Sequence, residues 1–230
     1  MDWKFESSAK EFHQTVDDML SLGHDKKDLI HQYPAFAGPA LLARHLTLYE
    51  LYKKVLGIPG DIAEVGVFKG GAFLYLAKLC EIFEMNAYTR VYGFDWFEGM
   101  DPIQGKEEGQ KKGSYKNSYE QLKKLVSYQK LDHVAKIIKM DVTKELDTFF
   151  DKNKGIKFKL VFLDAGTYNV VKTCLPAFWD KLLTGGILIL DQYADLRAVG
   201  ETEALDEFLP KAKLQTFPWS RHPTSFIVKE

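Results

Sequence analysis

Apolar residues follow two different spacings that alternate along this chain. Short runs rich in β-branched and aromatic residues are typical of buried strands, and longer segments with apolar residues three or four apart are typical of helices. The runs that we predict as strands after the first 58 residues are 61–67, 90–96, 134–140, 158–163 and 186–190. Strands that alternate with helices predict an α/β fold, a doubly wound and mostly parallel sheet with helices on both faces.

The two ends of the chain depart from this alternation. Residues 1–58 contain helical patterns over 8–20 and about 40–56, so we predict an N-terminal helical cap before a domain spanning 59–230. The last two apolar runs, 214–219 and 225–228, are close enough to pair as an antiparallel hairpin around residues 221–223. The predicted sheet therefore has seven strands, with a terminal antiparallel hairpin.

Composition narrows the class of protein. The chain has 230 residues, of which 46% are hydrophobic and 27% charged, and its net charge is −1. This balance is that of a soluble globular protein, and nothing in it calls for nucleic acid or a membrane as a partner. Cys80 and Cys174 each lie inside a helical pattern, so we expect buried, reduced thiols. With no apolar run of membrane-spanning length and no signal pattern, we expect a cytoplasmic protein.

The stretch 61–71 predicts a buried strand, a glycine-rich turn and the start of a helix at about Gly71. Gly66 allows a sharp turn, and Gly70 and Gly71 allow the backbone to approach a ligand that faces the helix N-terminus. The pattern is E-x-G-x-x-x-G-G, beginning at Glu64. It is not the dinucleotide fingerprint G-x-G-x-x-G, and by itself it also fits a purely structural turn.

Four acidic residues stand at the ends of four successive predicted strands: Asp95, Asp141, Asp164 and Asp191. Carboxyl ends of parallel strands meet at one edge of a sheet, so a ligand is expected there, although each acid taken singly fits a helix cap or turn. Asp95 could accept both hydroxyls of a ribose, in a nicotinamide or another nucleoside cofactor.

The residues beside these acids extend the predicted nucleoside site. Asp141 could accept from the exocyclic amine of an adenine while the Val142 N–H meets a ring nitrogen. Trp96 and Phe97 could stack on the base or sugar, or could belong to the core.

Asp164 and Asp191 could converge beside the reactive end of that cofactor. Two carboxylates in one cleft form either a divalent-cation site or a proton-transfer pair, unless Asp164 only braces its turn. His222 is a further candidate base. Arg44 and His45 could reach a carboxylate or could be ordinary helix residues.

Residues 100–118 predict a mobile lid over the site. Its lysines could attract a substrate phosphate, or could belong to a solvated loop; they are Lys106, Lys111, Lys112 and Lys116.

The segments 64–71, 95–100, 163–168, 183–193 and 203–208 together resemble the macrocin O-methyltransferase group of class I S-adenosylmethionine (SAM) methyltransferases. The resemblance covers residues 60–209 and implies a Rossmann-like fold that binds SAM. The implied cofactor-binding residues are Glu64, Gly66, Gly70, Gly71, Asp95, Trp96, Asp141, Val142 and Asp164.

In that group, Asp-Gly-Asp-x-Tyr and Asp-Asp-Tyr motifs hold a magnesium ion that gathers two sugar hydroxyls. Here Gly166 and Gln192 replace two of those carboxylates, so the resemblance implies at most a weakened Mg²⁺ site at Asp164, Asp191 and Gln192.

The implied activity is transfer of a methyl group from SAM to a hydroxyl of a sugar or sugar-bearing small molecule. Asp164, Asp191 or His222 would be the base that activates this hydroxyl. Three alternatives remain: a methyltransferase of phenolic small molecules, a nicotinamide-dependent oxidoreductase, and a SAM-fold binding protein without activity. The sequence leaves open whether the chain forms a homo-oligomer.

Overall fold

The computed structural model of the chain describes residues 6–104, 107 and 109–230. Four helices come first: α1 (Glu6–Ser21), α2 (Lys26–His31), α3 (Tyr33–Phe36) and α4 (Pro39–Lys54). The alternating part follows with β1 (Asp61–Val65), α5 (Gly71–Phe83), β2 (Val91–Asp95), α6 (Tyr119–Tyr128), β3 (Ala135–Lys139), α7 (Val142–Lys152), β4 (Phe158–Leu163) and α8 (Tyr168–Lys181). The last elements are β5 (Leu182–Leu190), α9 (Val199–Phe208) and β6 (Ser225–Val228).

The strands form one sheet in the order β3-β2-β1-β4-β5-β6. The first five strands pair in parallel, and β6 alone runs antiparallel, beside β5. The doubly wound α/β prediction is confirmed. Because the strand order reverses direction beside β1, the carboxyl ends of β1 and β4 flank a crevice where ligands of such sheets bind.

The described residues form six strands, not the predicted seven. Residues 214–219 contribute an isolated bridge between Gln215 and Phe226, so the predicted terminal hairpin is reduced to one bridging pair. Pro218 lacks a backbone N–H, and the chain turns at Pro218 and Trp219. The Thr216 hydroxyl donates to the Thr224 carbonyl at 2.8 Å in place of a continued backbone ladder.

Apolar residues pack in two clusters, one on each face of the sheet. One cluster joins α4 and α5 to one face through residues such as Leu51, Phe73 and Leu160. The other joins α7, α8 and α9 to the opposite face, with Val161 and Phe178 near its middle. Since α4 shares a core with α5, the separation of a helical cap at residue 58 stays a prediction.

Several local predictions can be compared with the structure. Cys80 and Cys174 are both buried and free, as predicted. The sequence predicts that Pro176 either kinks its helix or restarts it as a first-turn proline, and in the structure Pro176 lies inside a single helix, α8. The sequence predicts an apolar face on α1 made of Phe12, Val16, Met19 and Leu20; in the structure Val16 and Met19 are half-buried, but Phe12 and Leu20 are exposed. In the part of the chain that the structure describes, no helix combines the length and apolarity needed to span a membrane.

Candidate active site

A cleft of about 2340 Å³ opens at the carboxyl ends of the parallel strands. Of the residues predicted to act in catalysis or to bind the cofactor or a metal ion, all except Gly70 line this cleft. The lining residues used below are Arg44, Glu64, Gly66, Phe68, Gly71, Asp95, Trp96, Asp141, Val142, Asp164, Asp191, Gln192 and His222. The topology therefore brings together groups that are up to 178 residues apart in the chain, Arg44 and His222 being the most distant pair.

The three glycines of the glycine-rich turn have different roles. Gly66 has a φ of 91°, and a Cβ atom there would overlap the Asp164 carbonyl oxygen, because the ends of β1 and β4 approach closely. Gly70 has a φ of 85° and faces Leu122, so it is required by packing against α6. A Cβ at Gly71 would meet no atom within 4 Å, which leaves the start of α5 open to the cleft. Of the two glycines predicted to approach a ligand, only Gly71 lines the cleft.

Glu64 lies at the inner wall of the cleft with 1% of its surface exposed. Its Oε2 atom has no hydrogen-bond partner among the described residues. Burial, followed by the charge of Asp164, raises the pKa of Glu64 well above its usual range. Glu64 thus offers a buried carboxyl oxygen in need of a polar partner.

Asp95 ties two loops together at the end of β2. Its carboxylate accepts from the backbone N–H of Phe68 at 2.9 Å and of Phe97 at 2.7 Å. Phe68 and Phe97 have φ values of 50° and 68°, in the left-handed region. Burial raises the pKa of Asp95, and these backbone hydrogen bonds oppose that effect. The acid therefore fixes the floor of the cleft while keeping oxygen lone pairs for a ligand.

The two aromatic residues after β2 separate into different environments. Trp96 lines the cleft and donates its indole N–H to the Gly99 carbonyl at 2.6 Å. Phe97 is 3% exposed and packs its ring against Tyr119. The stacking alternative thus remains for Trp96, and Phe97 belongs to the core.

Asp141 is the N-cap of α7. Its side chain accepts from the Thr143 N–H at 3.1 Å and pairs with Lys144 at 2.7 Å. Burial works against ionisation, but the bonds from Lys144 and Thr143 outweigh it and lower the pKa of Asp141. The capping alternative is confirmed, and adenine recognition by Asp141 and Val142 stays a prediction.

Arg44 bridges Asp164 and Asp191. Nη2 of Arg44 donates to Asp164 Oδ2 at 2.6 Å, and Nη1 donates to Asp191 Oδ1 at 2.5 Å. The guanidinium also lies 5.2 Å from the centre of the Phe162 ring. Burial disfavours the Arg44 charge, but the two carboxylates outweigh burial and raise its pKa, so the cation is permanent.

The Asp164 and Asp191 carboxylates differ in their surroundings. Burial, followed by the charge of Asp191, raises the pKa of Asp164 well above its usual range despite Arg44. The Asp191 side chain is 7% exposed and that of Asp164 25%. Sequence reasoning placed Arg44 near a carboxylate only as one of two alternatives, whereas His45 packs its ring on Tyr75 at 4.6 Å between centroids.

These residues do not fit a magnesium site. Within the described residues there is no group of three or more His, Cys, Asp or Glu side chains that could hold a metal ion. The guanidinium of Arg44 lies where a cation shared by Asp164 and Asp191 would lie. Gly166 and Gln192 add no charge, so Asp164 and Asp191 are left without the further carboxylates that a hard divalent cation prefers.

His222 is oriented by the end of β5. Its Nδ1 lies 2.9 Å from the Asp191 carbonyl oxygen, and since a carbonyl only accepts, Nδ1 carries the proton. In the neutral ring, the other nitrogen, Nε2, then carries the lone pair and lies 3.9 Å from Asp195 Oδ2. This tautomer suits a proton acceptor at the cleft wall.

Two buried acids of this region were not predicted from the sequence. Glu201, on α9, accepts from the Gln192 N–H at 2.8 Å, and burial raises its pKa well above the usual range. Glu107 accepts from the N–H groups of Ile103 and Tyr168, each at 2.7 Å. Neither acid stands at a strand end, so no sequence pattern set them apart from surface glutamates.

The predicted lid does lie over the cleft, where Met100, Gln110 and Lys111 line it. Gln110 Nε2 donates to the Gly166 carbonyl at 2.8 Å, and Asn117 Nδ2 donates to the Phe68 carbonyl at 2.8 Å. Its mobility stays a prediction. Lys106, one of the four lysines, lies outside the described residues; Lys112 and Lys116 pair with Asp101 and Glu98.

Together, the sheet order and this cleft define a class I methyltransferase fold. The sequence profile of the macrocin-O-methyltransferase (TylF) family matches residues 5–217, and the chain belongs to that family of SAM-dependent O-methyltransferases. Comparison with curated proteins gave no match.

Solved structures of similar fold include two of CalS11 and one of NovP. CalS11, a calicheamicin methyltransferase, is 21% identical with a TM-score of 0.85 over 99% of this chain and 94% of that one. Apo CalS11, described as a TDP-rhamnose 3'-O-methyltransferase, is 22% identical with a TM-score of 0.79 over 99% and 96%. The O-methyltransferase NovP is 19% identical with a TM-score of 0.69 over 81% and 79%.

Proposed function

We propose that this chain transfers a methyl group from SAM to a hydroxyl of a sugar or a sugar-bearing small molecule. The observation that carries the proposal is the convergence of the glycine-rich turn and Asp95 with Asp164, Asp191 and His222 in one cleft. Family membership supports the cofactor, and the description of CalS11 as acting on TDP-rhamnose supports a sugar acceptor. Family membership and the description of CalS11 are both consistent with a small molecule as the methyl acceptor.

The inner half of the cleft suits the cofactor. The unpartnered Oε2 of Glu64 suits a polar group at the amino-acid end of SAM, and the open N-terminus of α5 at Gly71 admits it closely. Asp95 would accept the ribose hydroxyls, Trp96 would contact the nucleoside, and Asp141 and Val142 would meet the adenine. When bound, SAM supplies an electrophilic methyl group on its sulfonium.

The outer half of the cleft suits the acceptor. Asp164 and Asp191, held by Arg44, would orient the acceptor hydroxyls, and His222 Nε2 would remove the proton from the reacting oxygen. Correct orientation of two reactants can lower a barrier by about 7–11 kcal/mol, so most of the protein's contribution would be positioning. Since the reacting hydroxyl is a poor nucleophile, loss of the base would slow the transfer step itself.

The first test is calorimetric titration of the protein with SAM and with S-adenosylhomocysteine (SAH). We expect both to bind, and we expect Asp95→Ala to weaken binding at least about tenfold because the ribose loses a charged acceptor. Asp147→Ala, an exposed acid on α7, is the matched control and should bind like the unchanged protein. Absence of binding by either nucleoside would refute the proposal.

A second experiment separates an enzyme from a binding protein that has lost its chemistry. Radiolabelled SAM is incubated with the protein and TDP-rhamnose, and transfer is compared with that of His222→Gln. Transfer that falls at least about 100-fold in the variant, with SAH affinity retained, supports His222 as the base. Equal rates in both proteins would remove His222 from that role.

A further inference from the structure

We infer that the guanidinium of Arg44 takes the place of the divalent metal ion in this chain, so that acceptor hydroxyls are gathered by a fixed organic cation. The inference rests on the proposed function. Its first basis is position, because Arg44 contacts one oxygen of Asp164 and one of Asp191 at 2.6 and 2.5 Å. A metal shared by these carboxylates would have to displace that cation.

The charge of the site supports the replacement. Arg44 sits among buried carboxyl groups, and the attraction of Asp164 and Asp191 outweighs its own burial. Its positive charge therefore already balances part of the negative charge that would draw a divalent ion. A guanidinium has five N–H donors, of which two are used here, so it retains donors for an acceptor oxygen.

The two lost carboxylates are linked in space. A Cβ atom added at Gly166 would overlap Oε1 of Gln192, and it would lie 3.1 Å from Nε2 of Gln110. The amide of Gln192 thus fills the space of a side chain at position 166, and Gln110 closes it from the loop by donating to the Gly166 carbonyl. With Gly166 and Gln192 at the positions of the two family carboxylates, the space beside Asp164 and Asp191 is filled by neutral groups.

The anchoring of Arg44 makes displacement costly. Arg44 lies on α4, which is held in the core by Leu48, Leu51 and Tyr52. Its guanidinium also packs over the Phe162 ring, which fixes its plane between the carboxylates. An exposed arginine could swing away to admit a metal, but this side chain is only 21% exposed.

The test measures Mn²⁺ binding by electron paramagnetic resonance, on metal-stripped protein saturated with SAH. We expect the unchanged protein to bind no Mn²⁺ up to about millimolar concentrations. Arg44→Gln, which replaces the charged guanidinium with a shorter, neutral amide and so vacates the space between the two carboxylates, should gain binding. The triple variant Arg44→Gln/Gly166→Asp/Gln192→Asp should bind at least about tenfold tighter than Arg44→Gln, since it restores two carboxylates.

Controls keep the outcomes distinct. Arg90→Ala removes an exposed arginine away from the cleft and should gain no Mn²⁺ binding. Circular dichroism checks that each variant is folded, and a separate SAH titration reports on the proposed function without reference to metal. Mn²⁺ binding by the unchanged protein that Asp191→Asn abolishes would overturn the inference. So would a folded triple variant that binds no Mn²⁺, because Arg44 would then not be what excludes the ion.

Discussion

Gly66 lies where the site has no room for a side chain, because an added Cβ atom would overlap the Asp164 carbonyl oxygen. Its φ of 91° also lies in the left-handed region, at the point where the ends of β1 and β4 approach each other. The position of Asp164 in the cleft therefore depends on a residue that has no chemistry of its own.

Gly66→Ala should lower the free energy of unfolding by at least about 2 kcal/mol, because it combines a strained φ with a backbone clash. Chemical denaturation followed by circular dichroism measures the change. Gly155→Ala, at an exposed glycine with nothing within 4 Å of its added Cβ, is the control and should change stability little. Equal stability of the two variants would contradict the close approach.

Glu201 should make stability depend on pH. Burial and the nearby charge of Asp191 raise its pKa in the folded protein, so the folded state holds a proton that the unfolded state releases. Its contribution is full below the unfolded pKa and is lost as pH rises toward the folded pKa.

In the unchanged protein, the free energy of unfolding should therefore decline between about pH 5 and pH 8, and Glu201→Gln should make this decline smaller. The difference should be about 1.4 kcal/mol for each unit by which folding raises the pKa of Glu201. Urea denaturation at several pH values measures this, with exposed Glu120→Gln as control. A variant with the same pH profile as the unchanged protein would mean that Glu201 ionises normally.

Single residues of the site were predictable where they followed an element boundary. Asp95, Asp164 and Asp191 were found because each ends an apolar run, and the structure brings them to one edge of the sheet. Glu201 lies in the first turn of a helix, and its burial depends on how α9 packs. The bridging role of Arg44 depends on where α4 docks, which no local pattern encodes.

At the scale of elements, a buried ion pair joins α4, α5 and β4 at the end of the sheet away from the cleft. Lys159 on β4 is fully buried and donates to Glu84, the C-cap of α5, at 2.5 Å. The Tyr52 hydroxyl on α4 donates to the same carboxylate at 2.5 Å. These bonds outweigh burial and lower the pKa of Glu84.

Lys159→Met should cost about 3 kcal/mol of stability, because it leaves a buried carboxylate without its cation. Lys159→Met/Glu84→Gln should recover part of that loss, which a double-mutant cycle by denaturation measures. Exposed Lys123→Met on α6 should leave stability nearly unchanged. Additive losses in the cycle would show that Lys159 and Glu84 do not interact.

The elements themselves were largely predictable, since strand and helix periodicities differ clearly in β1 to β5 and α5 to α9. The short helices α2 and α3 were not predicted. Another exception is the segment 214–219, where Phe217 and Trp219 suggest a strand but Pro218 turns the chain. Those two rings stack at 4.7 Å between centroids instead of lining a ladder. Apolar content alone cannot separate a strand from a packed loop of this kind.

For the whole molecule, the cleft is assembled from the segments that follow strands β1 to β5, together with α4 and residues of the segment 218–224. Its walls depend on contacts between distant segments, such as the Gln110 bond to Gly166 and the Asn117 bond to Phe68. A ligand that fills the cleft should therefore contact several of these segments and reduce their motion together.

SAH at about 100 times its dissociation constant should stabilise the protein by about 2.7 kcal/mol. Hydrogen exchange should slow in residues 66–71 and 95–100, which surround the proposed nucleoside site. The C-terminal end of α7, outside the cleft, serves as the internal control. Slowing confined to that control region would place the SAH site elsewhere.

The contact between position 166 and Gln192 constrains the order in which mutations can accumulate. Aspartate at position 166 would collide with the amide while Gln192 is present, whereas shortening Gln192 to aspartate first would open the space. Aspartate also tolerates the φ of 65° at position 166 better than most residues. The two substitutions are thus expected to be epistatic, because a side chain at position 166 requires the end of the Gln192 side chain to move, and a shorter residue at position 192 removes that requirement.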